Sequence, residues 1–298
     1  MIMLNFANSK NTFMQPRRSV LYMPGANARA MEKAKSLACD SIIFDLEDAV
    51  SPNAKNDARA QVLAAVNSGE YGHRELIVRA NGLDTQWGAQ DVAAFANTSI
   101  AAMLFPKIEN TAQVADIVDQ VNASGGTSMA IWIMIETPAA ILDVEIFADH
   151  PRVEALIMGT SDLVKELRAT HLSDRRNIAY ALQHCVLVAR RLDKDILDGV
   201  HLDFRNEEAF RQVCEDGAAI GFDGKTLIHP SQIATANELF GYTDAEVAHA
   251  RTVLEVWQAA LAQGKGVAVL DGKLIENLHA TEAERVVAFA QALAERDG

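Results

Sequence analysis

Charged side chains interrupt the apolar runs of this chain at places where a buried strand should carry none. In "IIFDLEDAV", residues 42–50, three carboxylates (Asp45, Glu47 and Asp48) crowd the end of an apolar run. Later runs also end in charge: Arg79 after "ELIV", Lys107 after "AAMLFP", Glu136 after "MAIWIMI", and Asp162 just past "VEALIMGT". Two carboxylates with open positions beside them are the usual way Mg²⁺ is held, with water and substrate oxygens completing the octahedron. Glu136 and Asp162 offer such a pair, each next to a turn residue (Pro138, Gly159). Arg79 offers a rigid fork suited to a substrate carboxylate. Each residue alone has a plainer reading: an acid there is commonly an N-cap or a loop charge, and an arginine there commonly partners a nearby acid. The constellation points to chemistry; no single member does.

Something must bring these scattered ends together. Short apolar runs alternate along the chain with stretches of helical period. Strands are expected at Ser19–Met23, Ser41–Leu46, Glu75–Asn81, Ala101–Lys107, Met129–Thr137, Val153–Thr160, Asp195–His201 and Phe222–His229. They are apolar on both faces, as in a parallel sheet covered by helices. Eight βα units over this span predict an α/β fold, a (β/α)₈ barrel; a doubly wound open sheet is the runner-up and usually has fewer strands. Barrels of this kind carry their sites at the C-terminal ends of the strands, where every charge named above falls. A single long helical region is expected between Thr160 and Asp193. The barrel is assigned to residues 1–240. Residues 241–298 read as a helical extension: two helical stretches around "GKGVAVLDGKLIENL", too short for a core of its own, packed on the barrel or on a neighbouring subunit.

Bulk properties narrow the field. The chain has 298 residues, is 49% hydrophobic and carries a formal net charge of -13, so nucleic acid is excluded as a bulk electrostatic partner. No apolar run reaches the length of a membrane span, and the first residues lack the pattern of a secretory signal. Cys39, Cys185 and Cys214 are far apart and form no CxxC pair, which reads as reduced, packed thiols in a cytoplasmic protein. His73, His171 and His184 show no metal-ligand spacing. In "YMPGANARA" a Pro24-Gly25 turn leads into a helix capped by Asn27. The free N–H groups of that helix could receive a phosphate, with Arg17 and Arg18 just upstream; a plain strand-to-helix turn fits equally.

"RSVLYMPG", "IIFDLEDAVSPNAKNDAR", "IVRANG", "LFPKIE", "IMIETPAA", "IMGTSDL" and "GFDGKTLIHPSQ", in order from Arg18 to Gln232, resemble the citrate lyase beta subunit and its relatives, the malyl-CoA and citramalyl-CoA lyases of the HpcH/HpaI aldolase superfamily. The resemblance implies a TIM barrel that cleaves or forms a C–C bond in a 3-hydroxyacyl-CoA, yielding an acyl-CoA and a 2-oxo acid, with Mg²⁺ (or Mn²⁺). It implies Glu136 and Asp162 as metal ligands and Arg79 as the anchor of the 2-oxo-acid carboxylate. Glu47 and Asp48 become the acids that support that arginine and the metal's waters. Arg18, Pro24, Gly25 and Lys107 fall to the coenzyme A side. It further implies a homotrimer or homohexamer whose C-terminal segment caps a neighbour's site. One departure stands out: many of these lyases carry a catalytic Asp in a "G-x-M-I-D-x-P" tail, where this chain has "GKLIENL", with Glu276 at the Asp position and no proline after it. Glu276 is then the expected proton donor. Two alternatives stay open: a CoA-independent aldolase on hydroxy-oxo acids, and a lyase-complex subunit without activity of its own.

Overall fold

The computed structural model describes residues 15–297; residues 1–14, most of the N-terminal stretch read for a secretory signal, lie outside them. Residues Arg17–Gly241 form one compact unit, and a second begins at Tyr242.

The first unit is a closed barrel of eight parallel strands in sequential order. The strands are β1 (Ser19–Pro24), β2 (Ser41–Asp45), β3 (Glu75–Arg79), β4 (Ala102–Phe105), β5 (Ala130–Ile135), β6 (Val153–Met158), β7 (Asp195–Asp198) and β8 (Gly224–Leu227). Helices alternate with them: α1 (Ala28–Ala34), α2 (Lys55–Asn67), α3 (Gly88–Phe95), α4 (Thr111–Ala123), α5 (Pro138–Ala148), α6 (Thr160–Glu166), α7 (Ala179–Arg191), α8 (Glu207–Ile220) and α9 (Ile233–Leu239). The open-sheet alternative is thereby excluded. Where one long helical region was expected after β6, the chain makes α6 and α7 instead. Arg168 and Arg175 between them take left-handed backbone, φ 53° and 49°, which no helix continues through.

Alternation along each strand sorts side chains into two layers. Val20, Ile43, Ile77, Leu104, Trp132, Ala155, Ile157 and Leu197 fill the barrel interior. Leu21, Ile42, Phe44, Val78, Phe105, Ile133 and Leu156 point outward and bury the inner faces of the helices. Full burial of such a side chain contributes about 1.5–3 kcal/mol, and this double coverage is why the strands are apolar on both faces.

Charge closes the floor of the barrel. Arg17, 5% exposed, bonds Glu75 through Nε at 2.9 Å and Asp195 at 2.6 Å, also contacts Glu154, and lies 4.7 Å over the Trp132 ring. Desolvating these charges is costly, and the mutual pairing offsets it. Arg18 lies on the same floor: Nε and Nη2 reach the two carboxylate oxygens of buried Asp40 at 2.9 and 2.8 Å.

The second unit contains α10 (Asp244–Ala262), a hairpin of β9 (Ala268–Leu270) and β10 (Lys273–Ile275), and α11 (Asn277–Asp297). Thr243 and Glu246 form a reciprocal capping box at the start of α10. Contrary to expectation, this segment has a small core: Val253, Trp257, Ala260, Ile275, Ala283 and Val286 pack together. Trp257 and the small residues facing it let two helices and a hairpin bury a shared apolar face. Among the described residues no helix is long and apolar enough to cross a membrane.

Candidate active site

Strand register and strand parity build the site. Asp45 is paired with Arg79 across β2 and β3, and Pro24 with Asp45 across β1 and β2. Asp45 and Arg79 each come two residues after an interior-facing isoleucine (Ile43, Ile77), so both turn into the mouth of the barrel. Asp45 accepts Arg79 Nε at 2.7 Å and Nη2 at 2.6 Å, and also accepts the backbone N–H groups of Glu47 and Ala49 at 2.8 and 3.0 Å. Arg79 Nη1 lies 3.0 Å from Glu47 Oε2, 3.8 Å from Asp48 Oδ2 and 3.5 Å from the Met134 sulfur. Its guanidinium covers the Tyr22 ring at 5.0 Å. Burial works against the charge of Arg79, but the surrounding anions more than offset it and hold the cation firmly protonated.

The bidentate edge of Arg79 is therefore occupied by Asp45, and the edge carrying Nη1 is what faces outward. Asp45, rather than Glu47 and Asp48 alone, supports the arginine. Parity with Ile43 was the signal for it; the resemblance drew attention to the two later acids instead. The loop carrying Glu47 and Asp48 is fixed from below. Lys55 Nζ donates to the carbonyls of Leu46 and Glu47 at 2.7 Å each, and Asn81 Nδ2 donates to Leu46 O at 3.0 Å. Burial raises the Glu47 carboxyl, with Arg79 opposing.

Glu136 follows β5, two residues after interior-facing Met134, and is 2% exposed. Its Oε1 accepts the backbone N–H of Lys107 at 2.8 Å. Burial pushes its pKa up to about 7; the Lys107 N–H opposes this and the Asp162 charge adds to it. Asp162 lies in the first turn of α6 and is partly exposed. Register explains the approach of β6: Ile135 pairs with Met158, so Gly159 falls beside Glu136, and a Cβ on Gly159 would stand 2.4 Å from the Glu136 Cβ. Lys107 has φ 53°, a left-handed conformation that costs a residue with a side chain on the order of 1–3 kcal/mol. Burial lowers its ammonium pKa, but Glu47, Glu136, Asp48 and Asp162 more than offset that and raise it.

A cavity of about 380 Å³ opens above these groups, lined by Tyr22, Pro24, Asp45, Asp48, Arg79, Met134, Met158, Gly159, Thr160, Ser161, Asp162 and Thr226 among others. Lys107 lines a second hollow, of about 410 Å³, which Glu47 also lines. Among the described residues no three His, Cys, Asp or Glu side chains form a cage. Two carboxyl groups, one of them buried and, among the described residues, without a side-chain cation in hydrogen-bond range, fit an oxygen-seeking cation that keeps water and substrate ligands.

The structure does not bring every expected residue here. Arg18 sits at the N-terminal ends of the strands, on the opposite face from the cavity, with its fork closed on Asp40. Gly25 is tied to β2: its N–H donates to Asp45 O at 2.9 Å, and a Cβ there would stand 2.8 Å from that oxygen. Asn27 caps α1 with its own side chain, accepting the Ala30 N–H at 3.0 Å, so one donor imagined for a phosphate is already satisfied. Glu276 belongs to the second unit; it is exposed between β10 and α11, and its N–H donates to His279 Nδ1 at 3.1 Å. Cys39, Cys185 and Cys214 are buried free thiols, pushed by burial up to about 11, 12 and 12.

The family profile described as HpcH/HpaI aldolase/citrate lyase matches residues 18–230, which span all eight strands of the barrel. The chain belongs to the HpcH/HpaI aldolase/citrate lyase family. Membership supports a carbon–carbon lyase. A (3S)-malyl-CoA thioesterase of Cereibacter sphaeroides is 43% identical over 94% of this chain and 96% of its own length. An L-malyl-CoA/beta-methylmalyl-CoA lyase of the same species is 32% identical over 93% of this chain and 95% of its own. Among solved structures, the CitE protein of Mycobacterium tuberculosis in complex with magnesium, acetoacetate and coenzyme A matches with a TM-score of 0.74 at 27% identity, covering 92% of this chain and 97% of that one.

Proposed function

We propose that this enzyme acts on the CoA thioester of a 3-hydroxy dicarboxylic acid of the malyl type, with Mg²⁺ or Mn²⁺ at Glu136 and Asp162. The carrying observation is the charge layout of one cavity: a cation fixed on Asp45 stands among apolar walls, with Asp162 lining the same space and Glu136 packed against Gly159. A bound divalent cation would polarise the oxygens of the substrate's acid end. Arg79, already desolvated and unable to turn away from Asp45, is set to stabilise negative charge that develops on a substrate oxygen. Tyr22, Met134 and Met158 keep the inner end of the cavity apolar, which strengthens that interaction.

Hydrolysis of the thioester, to hydroxy acid and free CoA, is the first reading, because the thioesterase above shares 43% of its residues with this chain across nearly its full length. Asp48, exposed at the cavity wall, would activate the attacking water. Carbon–carbon cleavage to an acyl-CoA and a 2-oxo acid is the second reading, favoured by the family and by the 32%-identical lyase; there Glu276 would reprotonate the enolate. A homo-oligomer, trimer or hexamer, belongs to the same reading. Its support is the exposure of Leu142 and Ile146 on α5 and Leu187 on α7.

The test is to incubate (3S)-malyl-CoA with enzyme and Mg²⁺ while following free thiol and 2-oxo acid together. Free thiol without glyoxylate gives hydrolysis; glyoxylate without free thiol gives cleavage. No product from any malyl-type thioester, with turnover of a free hydroxy-oxo acid, would overturn the proposal.

A further inference from the structure

Glu136 is held from two sides by backbone. On one side the turn after β4 holds Lys107 at φ 53°, and the Pro106–Lys107 peptide at its start donates the Lys107 N–H to Glu136 Oε1, 2.8 Å away. The turn is pinned by α4: Gln113 Oε1 accepts the Glu109 N–H at 2.8 Å. On the other side Gly159 approaches so closely that an added Cβ would lie 2.7 Å from Glu136 Oε2 and 2.4 Å from its Cβ. Gly159 is itself tied to β5 by its N–H on Ile135 O at 2.9 Å, so it cannot yield without breaking the strand exit.

We propose that the left-handed peptide of Lys107 and the bare Cα of Gly159 form a clamp that sets the orientation of Glu136, engaging one carboxylate oxygen and leaving the other for the cation. Lys107 is then a positioning residue through its backbone, although its ammonium is the group that a sequence reading notices. The strained φ turns the chain sharply just after the donating peptide; a residue that resists this φ would shift the turn and pull the peptide from the buried carboxylate. The inference rests on the reading of Glu136 as a metal ligand.

The experiment is calorimetric titration of Mg²⁺ into the metal-free full-length protein, with a thermal melt of each variant. Lys107→Met removes the ammonium and keeps an unbranched side chain; Lys107→Gly keeps the N–H and relaxes the φ. Both should retain the wild-type Mg²⁺ affinity. Lys107→Val, whose branched side chain resists positive φ, and Gly159→Ala, which pushes Glu136 from the other side, should each weaken Mg²⁺ about tenfold or more, the range for losing a group that orients a ligand. Recovery with glycine after loss with valine is a result that a general packing defect would not give. If Lys107→Val does not fold, Gly159→Ala carries the test alone. Wild-type affinity in both Lys107→Val and Gly159→Ala would overturn the clamp, as would an equal loss in Lys107→Met, which would assign the effect to the ammonium. Glu136→Gln separates the two levels: wild-type affinity there removes the metal reading, whereas loss there with none in the clamp variants removes only the clamp.

Discussion

Asp45 holds Arg79 by both carboxylate oxygens, at 2.7 and 2.6 Å, across a pair of strands whose register sets the two residues side by side. The bond is buried, so removing Asp45 takes away both of the close contacts that fix the guanidinium and leaves Glu47, at 3.0 Å from Nη1, as its nearest anion. Asp45→Asn should lower stability by roughly 3 kcal/mol and cut kcat/KM, because the guanidinium loses the two-point hold that orients it and keeps only its Glu47 contact through Nη1. Urea unfolding alongside kinetics checks both; an unchanged midpoint would mean that Glu47 alone suffices.

Arg79→Lys should raise KM for the substrate's acid end and lower kcat, since one ammonium cannot hold Asp45 and also face the cavity. Affinity for free CoA should stay near the wild-type value. A collapse of CoA affinity, read by calorimetry, would move Arg79 to the cofactor side.

Glu136→Gln and Asp162→Asn should each abolish Mg²⁺-dependent turnover while the fold survives, because a neutral amide is a poor Mg²⁺ ligand. For Glu136, buried against Gly159, the substitution is nearly isosteric. Full activity in either variant at limiting Mg²⁺ would end the assignment.

A second buried centre sets the acid stability. Asp198 accepts Lys225 Nζ at 2.8 Å and Arg175 Nη1 at 2.7 Å. Burial alone would raise its pKa, but Lys225 and Arg175 more than offset that and hold it below the usual carboxylate range. Lys225 is driven down instead: burial outweighs its single carboxylate partner, and Arg175 repels it. The two directions differ because Asp198 faces two cations and Lys225 one anion. A carboxyl with a depressed folded-state pKa contributes stability above its unfolded value, near 4, and loses it as the pH falls further. Unfolding midpoints should therefore drop below about pH 4 in the wild type. In Asp198→Asn that slope should be shallower, and stability at pH 7 lower by roughly 3–5 kcal/mol. Parallel acid titrations of the two proteins would refute the assignment.

Glu276→Ala should slow carbon–carbon cleavage by about 100-fold, the range for losing a general acid, with Mg²⁺ binding intact. Glu276→Asp should be tolerated. Wild-type cleavage in the alanine variant would assign the proton to another group, and an effect absent from hydrolysis but present in cleavage would separate the two reactions.

Much of the barrel is legible in the sequence. Eight apolar runs, each relieved by a helical stretch, required a covered parallel sheet, and the charges at their C-terminal ends required a mouth where they meet. Glu136, Asp162 and Arg79 stand out as candidates in the sequence because burying an unneeded charge at the end of a strand is costly. Tertiary structure decided the rest. Asp45 outranked its neighbours Glu47 and Asp48 because its side chain shares the inward parity of Ile43 and its backbone is in register with Arg79. Arg18, next to a motif at the mouth in sequence, went to the floor, because a strand separates its two ends by its own length. The left-handed Lys107 and the closeness of Gly159 to Glu136 are properties of φ and of strand register, which a residue's type does not encode. Sequence determined which groups could do the chemistry. Pairing between strands far apart in the chain decided which of them are aimed at one another.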